Sequence, residues 1–277
     1  MQRKYAILGQ TLGHTMSPPI HKALFELKGR EFSYEVIELE PSELGEMDVK
    51  LNELKGINVT IPYKVKIIDF LDELDETAKR YNSVNCVNCK DGKRIGYNTD
   101  CVGFLEAIRA MEVNLSGEAL LIGCGGVGRM MAIEAALAGA RLTIAVLESD
   151  LPLAEQTLKE IKVMKPNASV KIVLNTEIDA RAHYDLLMNA SPVGMYPKVD
   201  ACPVSDEVIR ASDAVFDVVY NPGQTQLLKK AKEYGKRCAG GMAMLVWQAV
   251  KAHEIWDGDS YTDEEIDRII ESVQKLV

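Results

Sequence analysis

The stretch that most restricts how this chain can fold is residues 118–128, where the apolar run Ala119-Leu120-Leu121-Ile122 meets glycines at 123, 125, 126 and 128. A strand that ends in a glycine turn and restarts as a helix aims several backbone N–H groups at one point, where a pyrophosphate can bind. The letters G-C-G-G-V-G match G-x-G-x-x-G, which by itself also fits a tight structural β–α turn. The predicted strand before it and the alanine-rich predicted helix after it (126–138) favour a dinucleotide site. Gly123, Gly125, Gly126, Val127 and Gly128 are assigned to that site. More than a hundred residues precede the motif, so the first part of the chain must carry a different task.

Downstream the pattern is β–α alternation. Predicted strands at 141–148, 169–174, 184–190, 213–220 and 237–241 are mostly continuous apolar runs, as suits a parallel sheet buried on both faces. Between and after them lie predicted helices at 151–164, 224–234, 244–256 and 262–275. The last is opened by Thr262 with Glu265 three residues on, a capping box. Upstream, strands are predicted at 4–9, 32–39 and 54–61. A helix over 18–28 is expected to have Ser17 as N-cap and Pro18 in its first turn. Another is expected to start at Pro62 and run through YKVKIIDFLDEL. Asp91-Gly92 between 83–89 and 93–98 signals a hairpin, and a helix over 100–111 leads to the glycine motif. The expected fold class is α/β: an N-terminal α/β domain plus a Rossmann-type doubly wound dinucleotide domain. The C-terminal helices are expected to pack back on the first domain. The expected domains are 1–101 with 249–277, and 102–248.

A formal charge of −9 argues against a nucleic-acid or anionic-membrane surface, both of which need a basic face. No apolar run reaches the roughly 20 residues of a membrane helix. MQRKYAILGQ has only a four-residue apolar stretch before Gly9 and reads as a first strand, not a signal peptide, so the expected compartment is the cytoplasm. Six cysteines are scattered, and the pair Cys86-x-x-Cys89 has no second pair to complete a zinc site. In a strand these two positions face opposite ways. Reduced core thiols and no metal are the expectation.

The identity of the dinucleotide follows from charge. Glu148 lies 20 residues beyond Gly128, at the end of the next predicted strand, where an acid accepts both ribose hydroxyls of NAD and repels a 2′-phosphate. From Thr143 to Leu158 there is no Lys or Arg, but Glu148, Asp150 and Glu155 are present. NAD is favoured over NADP. In the first hundred residues, Lys64 is expected two residues into a helix, where the dipole disfavours its cation by roughly 0.3–1 kcal/mol and so suits it to proton transfer. A plain surface lysine would read the same. Asp100 could be an N-cap alone. Asn58, Thr60 and Asn85, in apolar strands, need hydrogen-bond partners if buried, and a polyhydroxylated ligand would supply them.

Several motifs occur together and in order: G-H-T-M-S-P (13–18), N-V-T-I-P-Y-K (58–64), S-V-N-C (83–86), Y-N-T-D (97–100), the glycine loop, N-A-S-P-V-G-M (189–195), D-V-V-Y-N-P (217–222) and G-M-A-M-L-V-W-Q-A (241–249). With these the whole chain resembles the shikimate dehydrogenase family, including its quinate/shikimate branch. The resemblance implies reversible reduction of 3-dehydroshikimate to shikimate by a nicotinamide cofactor, with Lys64 and Asp100 as the catalytic pair. It implies Thr15 and Ser17 at the substrate carboxylate, with Tyr220 toward the same end. It implies Asn58, Thr60, Asn85, Asp100 and Gln248 at the ring hydroxyls. Asn189, Ser191, Val219, Gly241 and Met244 would lie around the ribose and nicotinamide.

The chain also departs from the family pattern. Thr15-Met16-Ser17 replaces Ser-x-Ser, and the added methyl could reshape the pocket for quinate. Val146-Leu147-Glu148 replaces the Asn-Arg-Thr of NADP-dependent members. Gly240-Gly241-Met242-Ala243 replaces Asp-Gly-Leu-Gly, so an acid and a glycine are lost beside the nicotinamide. Alternatives are a dehydrogenase of quinate or aminated analogues, a methylenetetrahydrofolate dehydrogenase-like enzyme, and a non-catalytic sensor. Y-N-T-D and the Thr/Ser pair speak against the second, and retention of Lys64 with Asp100 against the third. The expected partner is a small-molecule substrate alone, with the chain a monomer or homodimer.

Overall fold

The computed structural model describes residues 3–13 and 15–277; His14 of the 13–18 motif lies outside the described residues. Two compact units emerge, one holding the chain up to Gly103 with Leu245–Val273, the other Phe104–Met244 with Gln274–Val277.

The first unit begins with β1 (Arg3–Gly9), α1 (Ser17–Leu27), β2 (Phe32–Glu38), the four-residue α2 (Met47–Lys50) and β3 (Gly56–Val59). It continues with β4 (Glu73–Leu74), α3 (Glu76–Tyr81), β5 (Cys86–Lys90), β6 (Lys93–Tyr97) and the start of α4 (Asp100–Ala110). Its six strands run in the order β2-β1-β3-β5-β6-β4, with β1 parallel to β2 and β3, and β5 antiparallel to β3 and β6. Alternation along β1 splits its side chains between two cores. Ala6 and Leu8 join Met47, Leu51, Ile57, Val59, Tyr63 and Val87 on one face. Tyr5 joins Phe25, Cys86 and Trp256 on the other. Asp91 (φ 54°) and Gly92 (φ 76°) both take the left-handed backbone, as a two-residue hairpin turn demands.

The second unit carries β7 (Glu118–Ile122), α5 (Gly126–Ala138), β8 (Arg141–Val146), α6 (Leu151–Met164) and β9 (Ser169–Leu174). Then follow β10 (Tyr184–Asn189), α7 (Asp206–Arg210), β11 (Ser212–Asp217), α8 (Gln226–Glu233), β12 (Arg237–Gly240) and the start of α9 (Gly241–Asp257). Its sheet is parallel throughout, in the order β12-β11-β10-β7-β8-β9. The chain winds one way from β7 to β8 and β9, then the other way from β10 to β12. That reversal beside β7 is the doubly wound arrangement, and ligands bind at its strand C-termini. Most of α9 and α10 (Asp263–Gln274) belong to the first unit. The capping box at α10 is formed, Thr262 N–H donating to Glu265 Oε2 (2.9 Å) and Glu265 N–H to Thr262 Oγ1 (3.2 Å).

The units divide at 103/104 and 244/245, inside the unbroken helices α4 and α9, where 101/102 and 248/249 were expected. Two local expectations are corrected. The N-cap of α1 is Met16, without a side-chain cap; Ser17 is already inside the helix. No α-helix follows Pro62. The chain makes a turn, a five-residue 3-10 segment Lys66–Phe70, and then β4 beside β6. β-Branched Val65, Ile67 and Ile68 favour helix weakly, and Asp72 N–H is captured by Arg94 O at 2.9 Å. Lys64 therefore stands in a turn and not in the first turn of an α-helix, and no α-helix dipole bears on its cation. Among the described residues no helix is long and apolar enough to cross a membrane.

One core feature of the first unit has a pH signature. His21 and His253 are fully buried, with Nδ1 and Nε2 3.0 Å apart. The Tyr261 hydroxyl stands 2.9 Å from His253 Nδ1, with Arg30 and Asp259 beyond. Burial pushes the His21 imidazole well below its ordinary range and takes His253 from 6.5 to about 3. Both are neutral when folded, so unfolding takes up protons once pH drops below 6.5, and stability is lost as pH falls from there toward 3. Urea titrations at pH 7 and 5.5 should show stability falling by up to ~1.4 kcal/mol per pH unit for each histidine. A flat profile over that window would contradict the neutral pair.

Candidate active site

In the first unit four of the polar side chains singled out from the sequence, Lys64, Asp100, Asn85 and Gln248, are joined by hydrogen bonds. Lys64 Nζ donates to Asp100 Oδ2 at 2.7 Å, with both side chains partly exposed (25% and 19%) and so open to a ligand. The turn carrying Lys64 is anchored on both sides. Tyr63 is fully buried and its hydroxyl donates to Leu39 O, and Val84 N–H donates to Lys64 O at 2.7 Å. Asp100 opens α4, but its carboxylate faces side chains: Oδ1 accepts from Asn85 Nδ2 at 2.8 Å while Oδ2 holds Lys64.

Asn85 is the hub. Its backbone bridges β3 and β6, Asn85 O accepting from Val59 N–H (2.8 Å) and Asn85 N–H donating to Tyr97 O (3.0 Å). Its Oδ1 accepts from Thr99 N–H at 2.6 Å, which commits Nδ2 to donate toward Asp100 and, at 3.4 Å, toward Gln248 Oε1. Gln248, on α9, is oriented by Nε2 donating to Leu245 O (2.9 Å) and by Thr99 Oγ1 donating to its Oε1 (3.2 Å). Asn58 lies on β3, its Oδ1 accepting from the Tyr34 hydroxyl at 2.7 Å; its Nδ2 is buried without a partner. Thr60 is half-buried just beyond β3. Thr15 Oγ1 accepts from Ser17 N–H at 3.3 Å at the start of α1, whose first turn carries no acidic residue. An eleven-residue helix beginning there is a natural seat for a carboxylate.

Tyr34 and Thr99 were not singled out from the sequence. Thr99 sits inside Y-N-T-D and could have been found there. Tyr34, one aromatic in an alternating strand, gave no signal.

In the second unit the loop between β7 and α5 forms a cradle. Gly123 has φ 85°, a value only glycine adopts freely. A Cβ on Gly128 would lie 2.5 Å from Gly123 O, so this glycine lets helix and loop touch. Cβ atoms on Gly125 or Gly126 would meet nothing within 4 Å, leaving open space at the helix start where a pyrophosphate fits. Val127 follows in the first turn of α5. Glu148 is exposed just after β8. Arg129, the first cation after the loop, is held by Glu160 at 2.7 Å.

Across the sheet, Asn189 ends β10 and accepts through Oδ1 from the Ser191 hydroxyl (2.6 Å) and N–H (3.1 Å). Val219 is buried just after β11, with Tyr220 half-buried beside it. Gly241 opens α9 so close to Val218 that a Cβ would lie 1.9 Å from its carbonyl oxygen, and Met244 is buried one turn on. Tyr220 is in the second unit, whereas the other residues expected at substrate are in the first. The residues of the second unit fit a dinucleotide.

A doubly wound unit with a glycine cradle, and a separate unit with a lysine–carboxylate pair among ordered amides, define the class of nucleotide-dependent α/β oxidoreductases. Residues 7–87 match the family model of the shikimate dehydrogenase substrate binding domain. A relative from Clostridium beijerinckii, named shikimate dehydrogenase (NADP(+)), is 35% identical over 256 residues, covering 91% of each chain. The crystal structure of shikimate 5-dehydrogenase from Thermus thermophilus with NADP(H) and shikimate aligns with a TM-score of 0.84 at 29% identity, covering 98% of this chain and 100% of that one. The enzyme from Listeria monocytogenes, in complex with shikimate and NAD, aligns with a TM-score of 0.84 at 29% identity, covering 98% and 96%. The chain belongs to the shikimate dehydrogenase family.

Proposed function

We propose that the chain is a shikimate dehydrogenase that interconverts 3-dehydroshikimate and shikimate, with NAD as its preferred dinucleotide. The observation that carries the reading is the Lys64–Asp100 pair at 2.7 Å, set among Asn85, Thr99 and Gln248. Names of relatives support the activity, while quinate and sensor readings draw no support from them.

A bound nicotinamide dinucleotide supplies or accepts the hydride. The chain's own groups manage the rest. Lys64 Nζ gives a proton to the substrate oxygen during ketone reduction and takes one from the hydroxyl in the reverse direction. Asp100 holds the ammonium in place and accepts from a neighbouring hydroxyl. Asn85 and Gln248, fixed by Thr99, bind the ring hydroxyls, with Asn58 and Thr60 on the adjoining side. Thr15 and Ser17 hold the carboxylate at the start of α1. Asn189, Ser191, Val219, Gly241 and Met244 surround the ribose and nicotinamide.

The preference for NAD rests on Glu148 and on the absence of Lys and Arg from the sequence between Thr143 and Leu158. Curated relatives are named for NADP(+), while among solved neighbours one holds NADP(H) and another NAD. Glu148→Ala should relax the preference, narrowing the NAD/NADP ratio of kcat/KM by about tenfold, one acid against a phosphate. An unchanged ratio would show Glu148 to be a solvated end of β8 with no part in the choice.

A further inference from the structure

Asp217, at the C-terminal end of β11, has no part in the chemistry above and is fully buried. Its Oδ1 accepts from Asn189 Nδ2 at 2.9 Å and from Val219 N–H at 3.1 Å, and its Oδ2 accepts from the Thr225 hydroxyl at 2.6 Å. Those donors come from the end of β10, the loop after β11 and the start of α8. Thr225 Oγ1 accepts from Leu228 N–H at 3.3 Å, so its own proton is free for the carboxylate. Three donors and no acceptor suit the ionised acid. Burial raises the carboxyl above the ordinary aspartate range, and the three hydrogen bonds oppose that. Among the described residues Asp217 forms no ion pair, so its charge is uncompensated.

Its location gives that charge a target. In a doubly wound sheet the two halves of a dinucleotide lie on either side of the reversal point. Glu148 marks the β8 side, which leaves the β10–β11 side for the nicotinamide half. The oxidised nicotinamide ring is a cation and the reduced ring is neutral, so a buried anion near it distinguishes the two forms.

We propose that Asp217 is a positioning residue that ties down both loops of the nicotinamide half, and that its unpaired charge biases the site toward the oxidised dinucleotide. The proposal rests on the dehydrogenase reading above. Asp217→Asn isolates the charge: the amide oxygen can still accept from Asn189 and Val219, and the amide nitrogen can donate to Thr225. Thr225→Val removes a tether and keeps the charge.

Titration calorimetry on the full chain, with NAD and with NADH and no substrate, gives the two dissociation constants for each variant. For Asp217→Asn the ratio Kd(NAD)/Kd(NADH) should rise by about tenfold, while for Thr225→Val both constants should weaken together with the ratio unchanged. A wild-type ratio in Asp217→Asn, or an equal change of ratio in Thr225→Val, overturns the proposal. Asp217→Ser, smaller and also neutral, gives the same reading if Asp217→Asn does not fold. A wild-type chain that binds neither nucleotide overturns the dehydrogenase reading as well, whereas normal binding with an unmoved ratio overturns only the role of Asp217.

Discussion

Lys64→Ala should lower kcat for shikimate oxidation by at least ~100-fold, the lower range for a positioned acid–base group. Dinucleotide affinity should change little, because Lys64 is no part of the glycine cradle at 123–128. The loss has two sources. The proposed proton carrier disappears, and Asp100 loses the ammonium that its Oδ2 accepts from at 2.7 Å. Asp100 would still be held through Oδ1 by Asn85 Nδ2 at 2.8 Å, so the rest of the site should keep its shape. Lys64→Arg should not rescue turnover, since a guanidinium stays protonated and cannot cycle a proton. Steady-state kinetics near wild-type values in Lys64→Ala would show that another group carries the proton.

A second large effect is expected in the glycine cradle, where two positions should behave differently. In Gly128→Ala the new methyl would lie 2.5 Å from Gly123 O and 3.3 Å from Ala190 Cβ, so backbone must move. Overpacking of this kind costs about 1–3 kcal/mol. A loop displaced by about an ångström should cost on the order of 100-fold in kcat/KM for the dinucleotide. In Gly125→Ala the methyl meets no protein atom within 4 Å, so stability should hold while the open space proposed for phosphate is filled. Thermal unfolding and dinucleotide titration together separate the cases. Wild-type nucleotide affinity in Gly125→Ala would mean that the pyrophosphate lies elsewhere.

How legible these features are in the sequence depends on whether local signals agree with the tertiary environment. The second unit reads well because period, glycine placement and caps all point the same way. Its helices at 126–138 and 151–164 and its strand at 169–174 stand at their predicted limits. The segment after Pro62 fails for the opposite reason. Its apolar spacing suits a helix, but Glu73 and Leu74 pair with Ile95 and Gly96 of β6, and the sheet edge outweighs a weak local preference.

Within the site, Lys64 and Asp100 stand out only as members of motifs. Their pairing depends on a turn anchored by Tyr63 and on the start of α4, 36 residues further along the chain. Thr99 and Tyr34 act through Asn85 and Asn58, and such supporting contacts leave no periodic trace. Asp217 is similar: within D-V-V-Y-N-P it reads as a strand end, and only the structure shows three donors converging on it.

The most direct measurement is a two-by-two assay of nicotinamide absorbance, with shikimate or quinate as substrate and NAD or NADP as acceptor. Shikimate with NAD should give the highest kcat/KM of the four, and Lys64→Ala should abolish the signal. No shikimate-dependent reduction of either dinucleotide by the wild-type chain would contradict the proposed function.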